Sequence, residues 1–347
     1  MRPSRAMTVP DKADAMDFTR LPARGRLAAH WRLLLLPLLP LLPLPVAPAA
    51  AQTQADAGRR LEGAHMRVTH NVLGYELVPS FTGTFKAAPF RTNRWGMRDK
   101  EYELKPPRGT YRIAFLGSSF SMGGGVPEEQ THEALLEDRL NREGPGTPSR
   151  RIEILNFSVG GYGLLQYVAL MEKKIFTFSP NAVIIVIHST DVRILAKLTS
   201  LLRAGIPIED PYLRQTLQKA GVQPGMEAPE LRRRLSSVSL DLVKWSYQRI
   251  AQRCREHGVP LVGIAFEEPR QRGQEQVAEM AALASEAGIP VLDLKGVYDG
   301  RSLSDVKLRP GDVHLNVLGH KLVADRLYGL LRENDARTLK LGFRDSQ

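Results

Sequence analysis

The sequence predicts an α/β protein built on a doubly wound parallel sheet with helices on both faces. Three features carry that expectation. From Thr110 onward, short apolar runs alternate with longer stretches of helical periodicity. One run, 182–187, is apolar at every position, as expected of a strand buried on both faces. Glycine and serine clusters follow several runs, at the carboxyl ends of strands where such sheets bind ligands.

Each element follows in order. Ile113-Ala114-Phe115-Leu116 is the first strand and stops at Gly117. Leu135, Leu136 and Leu140 line a helix over 127–143. Strands at 152–155, 182–187, 260–266 and 289–294 then alternate with helices over 164–178, 237–257, 274–287 and 317–331. Right-handed crossovers limit these five strands to a few sheet orders. Residues 199–235 break the rhythm with Gly205, Pro207, Pro211, Gly221, Pro224, Gly225 and Pro229. We expect an insertion there, placed either as a lid or as a surface excursion. Before the sheet, 68–108 carries turn signals around short apolar runs and reads as a small, strand-poor extension closed by Pro106-Pro107. Residues 52–63 read as a polar linker, and 336–347 as a tail after the 111–335 domain.

The chain has 347 residues, of which 43% are hydrophobic and 24% charged, ample for a sizeable core. A net charge of +11 invites a nucleic-acid reading, so its location matters. Residues 1–51 hold seven basic and three acidic side chains, and the rest is spread thinly apart from Arg232-Arg233-Arg234. No basic stripe interleaves with aromatics, so we expect no nucleic-acid partner. The single cysteine, Cys254, excludes an intramolecular disulfide and every multi-cysteine metal site.

The first 51 residues have the layout of a secretory signal. A positive run from Arg20 to Arg32 precedes an apolar stretch, 33–51, that ends in Ala49-Ala50-Ala51. The expected cut lies after Ala51, with Met7 and Met16 as alternative starts. The rival is an uncleaved membrane anchor. Five prolines, Pro37, Pro40, Pro43, Pro45 and Pro48, argue against a spanning helix. The expectation is a periplasmic or secreted protein with no stable membrane insertion once the leader is removed.

Four segments fall where the sheet would bind a ligand. Ser118-Ser119 follow the first strand at a sharp strand-to-helix turn, as nucleophilic serines do. Helix capping is the plain alternative, and a phosphate loop lacks its Gly-Lys-Ser/Thr ending. Gly160-Gly161 follow the second strand and either bring backbone N–H groups close to a ligand or simply make a turn. His188-Ser189-Thr190-Asp191 follow the third and could merely cap a helix. Asp312 and His314 precede the last helix, two residues apart, so that the carboxylate can orient an imidazole acting as general base.

In this order the four segments resemble the SGNH (GDSL-type) hydrolases. The first block stands as Leu116-Gly117-Ser118-Ser119-Phe120-Ser121-Met122-Gly123-Gly124-Gly125-Val126-Pro127, similar to the family's LGDSFTFGxGVP type. The second is 156–166, the third 188–192 and the last 312–320, and the turn at 93–97 also looks like the family's segment before block one. The resemblance covers about 70–335. It implies a flavodoxin-like, three-layer α/β/α sandwich with a five-stranded parallel sheet. It further implies ester hydrolysis or acyl transfer through an acyl-serine, with no metal or cofactor. Carried over by position, Ser119 is the nucleophile, His314 the base and Asp312 its orienter. The Ser119 and Gly161 N–H groups and the Thr190 side chain form the oxyanion hole. The family's Asp before the nucleophile is Ser118 here, and its oxyanion Asn is Thr190. Those two changes keep an alternative open: a weak or inactive relative that binds acylated glycan or supports an envelope assembly.

Overall fold

A computed structural model of the chain describes residues 65–144, 150–270 and 273–343. The expected leader and the whole of the linker at 52–63 lie outside the described residues. The main sheet has five parallel strands: β5 (Thr110–Leu116), β6 (Arg151–Asn156), β7 (Ala182–Ile187), β8 (Leu261–Ala265) and β9 (Val291–Asp293). Their order is β6-β5-β7-β8-β9, a flavodoxin-like order with its switch point beside β5. Helices cover both faces, which completes the three-layer sandwich.

Strand β7 is apolar throughout because alternate side chains enter different cores. Ile184 and Val186 pack with α2 (His132–Glu143) and α9 (Val317–Glu333). Val183, Ile185 and Ile187 join the opposite layer, with α3 (Leu164–Lys173), α7 (Ser239–Glu256) and α8 (Gln274–Glu286). Each of these strand residues is at most 1% exposed. Among the described residues no helix is long and apolar enough to cross a membrane.

Two expectations need correction. The helix expected over 127–143 begins only at His132, after a separate 3₁₀ turn at Glu128–Gln130. The N-terminal extension is not strand-poor: β1 (Met66–Val68) pairs with β2 (Tyr75–Leu77), and β3 (Thr82–Phe85) with β4 (Ala88–Arg91). These strands are only three or four residues long, too short for alternation to register. The insertion is helical, comprising α4 (Ile194–Arg203), α5 (Pro211–Lys219) and α6 (Ala228–Leu235). Two of its prolines, Pro211 and Pro229, mark helix starts rather than loops, since the first turn needs no proline N–H. Asp210 caps α5 by accepting the Leu213 N–H at 2.9 Å. Leu198, Leu201, Leu213, Leu217 and Leu235 then bury the insertion in the α3–α7 layer.

A buried ion pair joins the first two sheet strands. Arg112 and Glu153 are register partners. Arg112 donates to Glu153 Oε2 through Nε at 3.1 Å and Nη2 at 2.8 Å, and to the Leu104 and Phe178 carbonyls through Nη1. Glu153→Ala would leave that guanidinium buried without its carboxylate. The variant should lose about 3–5 kcal/mol of stability, read from urea unfolding. A loss no larger than the ~1 kcal/mol of an exposed pair would show that solvent reaches Arg112.

Candidate active site

At the carboxyl end of β5 the two adjacent serines face different ways. A Cβ at Gly117 would stand 2.5 Å from Ser121 Oγ, so glycine permits the tight turn. The short helix α1 (Ser119–Met122) follows and ends at Gly123, whose φ is +68°. Ser118 is buried, and its hydroxyl lies 2.9 Å from His188 Nε2. Ser119 is half-exposed, with Oγ 2.8 Å from His314 Nε2. Each serine therefore meets a histidine, but only Ser119 is open to a substrate. Burial, helped by His132 and Arg270, holds His188 down at about 3, so its imidazole is neutral.

The loop carrying His314 is fixed on both sides. Asn316 caps α9 by accepting the Gly319 N–H, while its own amide donates to the Asp305 and Lys307 carbonyls. Asp312 Oδ1 accepts the His314 backbone N–H at 2.9 Å and lies 2.6 Å from Nδ1. That contact favours the tautomer with the proton on Nδ1, leaving Nε2 to accept from Ser119.

A residue that sequence reasoning missed enters here. Lys86 Nζ lies 2.9 Å from Asp312 Oδ2 and 2.7 Å from His314 Nδ1. It sits at the two-residue turn between β3 and β4, where Lys86 and Ala87 take φ of +51° and +64°. Asn-Gly would adopt such a turn easily, whereas Lys-Ala is strained. An aromatic cluster holds it: Phe85 lies with its ring centroid 4.3 Å from His65 and 5.6 Å from Phe90. Phe85 also stands where a Cβ at Gly124 would intrude, at 2.5 Å. No turn signal in Phe85-Lys86-Ala87-Ala88 announces any of this.

The charges follow from that placement. His314 titrates below its usual value because of burial and the Lys86 ammonium, with Asp312 pulling the other way. Burial would raise Asp312, but hydrogen bonds from Lys86 and from His314 hold it below the ordinary carboxylate range.

The second and third blocks complete the rim. Asn156 donates to the Ser121 carbonyl at 3.1 Å and accepts the Ser158 N–H, tying the β6 loop to the turn after β5. A Cβ at Gly160 would stand 3.8 Å from Ser119 Cβ, so this glycine loop borders the serine. Tyr75 of the extension donates to the Gly160 carbonyl at 2.8 Å. The Gly161 N–H has no acceptor among the described residues. Neither Ser189 nor Asp191 leaves the third block open: Ser189 donates to Glu268, and Asp191 accepts the His188 N–H. Thr190 is half-buried, and its hydroxyl has no partner among the described residues. No group of three or more His, Cys, Asp or Glu side chains there could hold a metal ion.

A hydroxyl bonded to an imidazole that is bonded to a carboxylate can be delivered as a nucleophile to a carbonyl carbon. No curated protein sequence matches the chain. In overall structure it is similar to the crystal structure of TesA, at 17% identity, 64% of this chain, 98% of that one and a TM-score of 0.42. It is also similar to the psychrotrophic esterase EstA from Pseudoalteromonas sp., with 15% identity, 64% and 97% coverage and a TM-score of 0.39. The acetylxylan esterase Axe2 from Geobacillus stearothermophilus gives 14% identity, 68% and 97% coverage and 0.43. Residues 115–322, well over half of the chain, match the family of GDSL-like lipases and acylhydrolases, so the chain belongs to that family and is an ester-hydrolysing enzyme.

Proposed function

We propose that the chain is an exported serine hydrolase that attacks carboxylic esters through an acyl-Ser119 intermediate. The observation that carries this reading is the unbroken path from Ser119 Oγ to His314 at 2.8 Å and from His314 to Asp312 at 2.6 Å. His314 Nε2 takes the hydroxyl proton as Ser119 Oγ bonds to the ester carbon. It then gives that proton to the departing alcohol. Water attacks the acyl-enzyme in hydrolysis, and a second alcohol does so in acyl transfer. Asp312 orients the imidazole and stabilises the imidazolium. The oxyanion is held by the N–H groups of Ser119 and Gly161, with the free Thr190 hydroxyl as third donor.

The leader supports action outside the cytoplasm, where acyl groups on extracellular glycans are the natural ester class. Sequencing the amino terminus of the exported protein should find a start at or near Gln52. An intact leader in the membrane fraction would instead mean an anchored enzyme.

Fluorophosphonate labelling and turnover of 4-nitrophenyl acetate test the roles together. Ser119→Ala should abolish both, and Thr190→Val should cut turnover by roughly 10²-fold, the usual loss of one oxyanion donor. Ser118→Ala should keep most of the activity, because its hydroxyl faces His188. Full activity in Ser119→Ala would identify the wrong serine.

The Lys86 ammonium gives a pH test. It opposes protonation of His314, so the base form persists below the usual 6.5. Lys86→Met should therefore move the acid limb of kcat/KM to higher pH. An unmoved limb would show that the Lys86 charge is screened from the ring.

A further inference from the structure

Three half-buried lysines face a carboxylate. Lys86 has Asp312, Lys100 has Glu137 and Lys174 has Glu76. Lys197 does not. It lies on α4, half-buried, and it makes no hydrogen bond or ion pair among the described residues. Its one contact of this kind is with the face of Tyr75, at 6.0 Å from the ring centroid. Burial lowers its pKa with no carboxylate to oppose the shift. A half-desolvated ammonium without a counter-charge is costly, and an anion brought to it recovers that cost.

Its position says which anion that would be. Lys197 Nζ lies 3.5 Å from where a Cβ of Gly161 would stand, and the Tyr75 hydroxyl lies 2.6 Å from the same point. Gly161 is exposed, with φ of +77°, and the Tyr75 hydroxyl takes the place a side chain would fill, so the ammonium lies beside bare backbone. The neighbouring Gly160 borders Ser119. An ester whose carbonyl oxygen sits on the Gly161 N–H would therefore carry its substituents past Lys197. One ammonium matches one negative charge. A phosphate dianion calls for more donors than this point supplies.

We propose that Lys197 makes the enzyme selective for esters that carry a carboxylate close to the scissile bond. The inference rests on the serine-hydrolase reading above and adds the substrate class to it. The carboxylate can belong to the acyl part, as in a half-ester of a dicarboxylic acid, or to the alcohol part, as in an acylated acidic sugar.

Two matched pairs of esters separate these sources. On the acyl side, 4-nitrophenyl hemisuccinate is compared with its methyl ester. On the alcohol side, 4-acetoxybenzoate is compared with methyl 4-acetoxybenzoate. The quantity read is the ratio of kcat/KM for the anionic ester to that for its neutral match. Lys197→Met should lower this ratio about tenfold or more in at least one arm, chiefly through KM of the anionic ester. Lys197→Arg should largely restore it. The arm that responds identifies which part of the substrate carries the charge. A ratio equal in wild type and Lys197→Met in both arms, with neutral esters still turned over, would overturn the proposal. Equal losses on neutral and anionic esters would overturn it as well, by showing a lysine that serves the common oxyanion. Failure of the wild type to cleave any of the four esters would instead sink the hydrolase reading, and this inference with it.

Discussion

A guanidinium without water around it must find acceptors within the protein, and much of the active site follows from where Arg98 finds them. Arg98 is 1% exposed and donates to the carbonyls of Met122, Gly123 and Val126. Those carbonyls belong to the turn that ends the four-residue helix behind Ser119. So short a helix has almost no stability of its own. Arg98 supplies from outside what the helix lacks, and it comes from the segment before the sheet begins. The Phe85 ring on Gly124 adds a second clamp from the same extension. The extension thus packs against the turn that follows Ser119 and holds it from outside the sheet.

The sheet was legible in the sequence because its strands are buried twice over. A strand such as Ala182–Ile187 has no polar face to offer, so its composition alone reveals it. The four ligand-facing loops were legible for a topological reason: strand carboxyl ends at a switch point are few. The insertion was not, because proline and glycine are ambiguous punctuation. Pro211 opens a helix and Gly205, at φ +67°, ends one, yet the same letters spell loops elsewhere. Lys86 was illegible for a different reason. Its turn runs against local preference, so only long-range aromatic packing could specify it.

The choice between Ser118 and Ser119 lies between these cases. Residue type does not separate two adjacent serines, and only likeness to a family pattern favoured the second. The physical distinction is in three dimensions, where the turn after Gly117 sends one hydroxyl to the buried His188 and the other to His314. Thr190 is similar. Its hydroxyl could have capped the following helix, yet it has no partner among the described residues, while Asp191 takes the His188 N–H.

The Ser118 position also shows how the site's charges fit together. A carboxylate there would be buried beside His188, whose Nδ1 lies 3.9 Å from the buried Glu268. Asp191 is close by as well, and burial, with Glu268 as a like charge, pushes it up to about 7. A further carboxylate in that corner would either protonate or draw a proton onto His188. Serine asks for neither, since its hydroxyl can bond a neutral imidazole. The inner side of the turn is thereby kept free of a new charge. The other charges of the candidate site are the Asp312 carboxylate, shared between His314 and Lys86, and the Lys197 ammonium near Gly161. Negative charge developing on a substrate at Ser119 would form on the open face of that serine, and not against the buried carboxylates behind it.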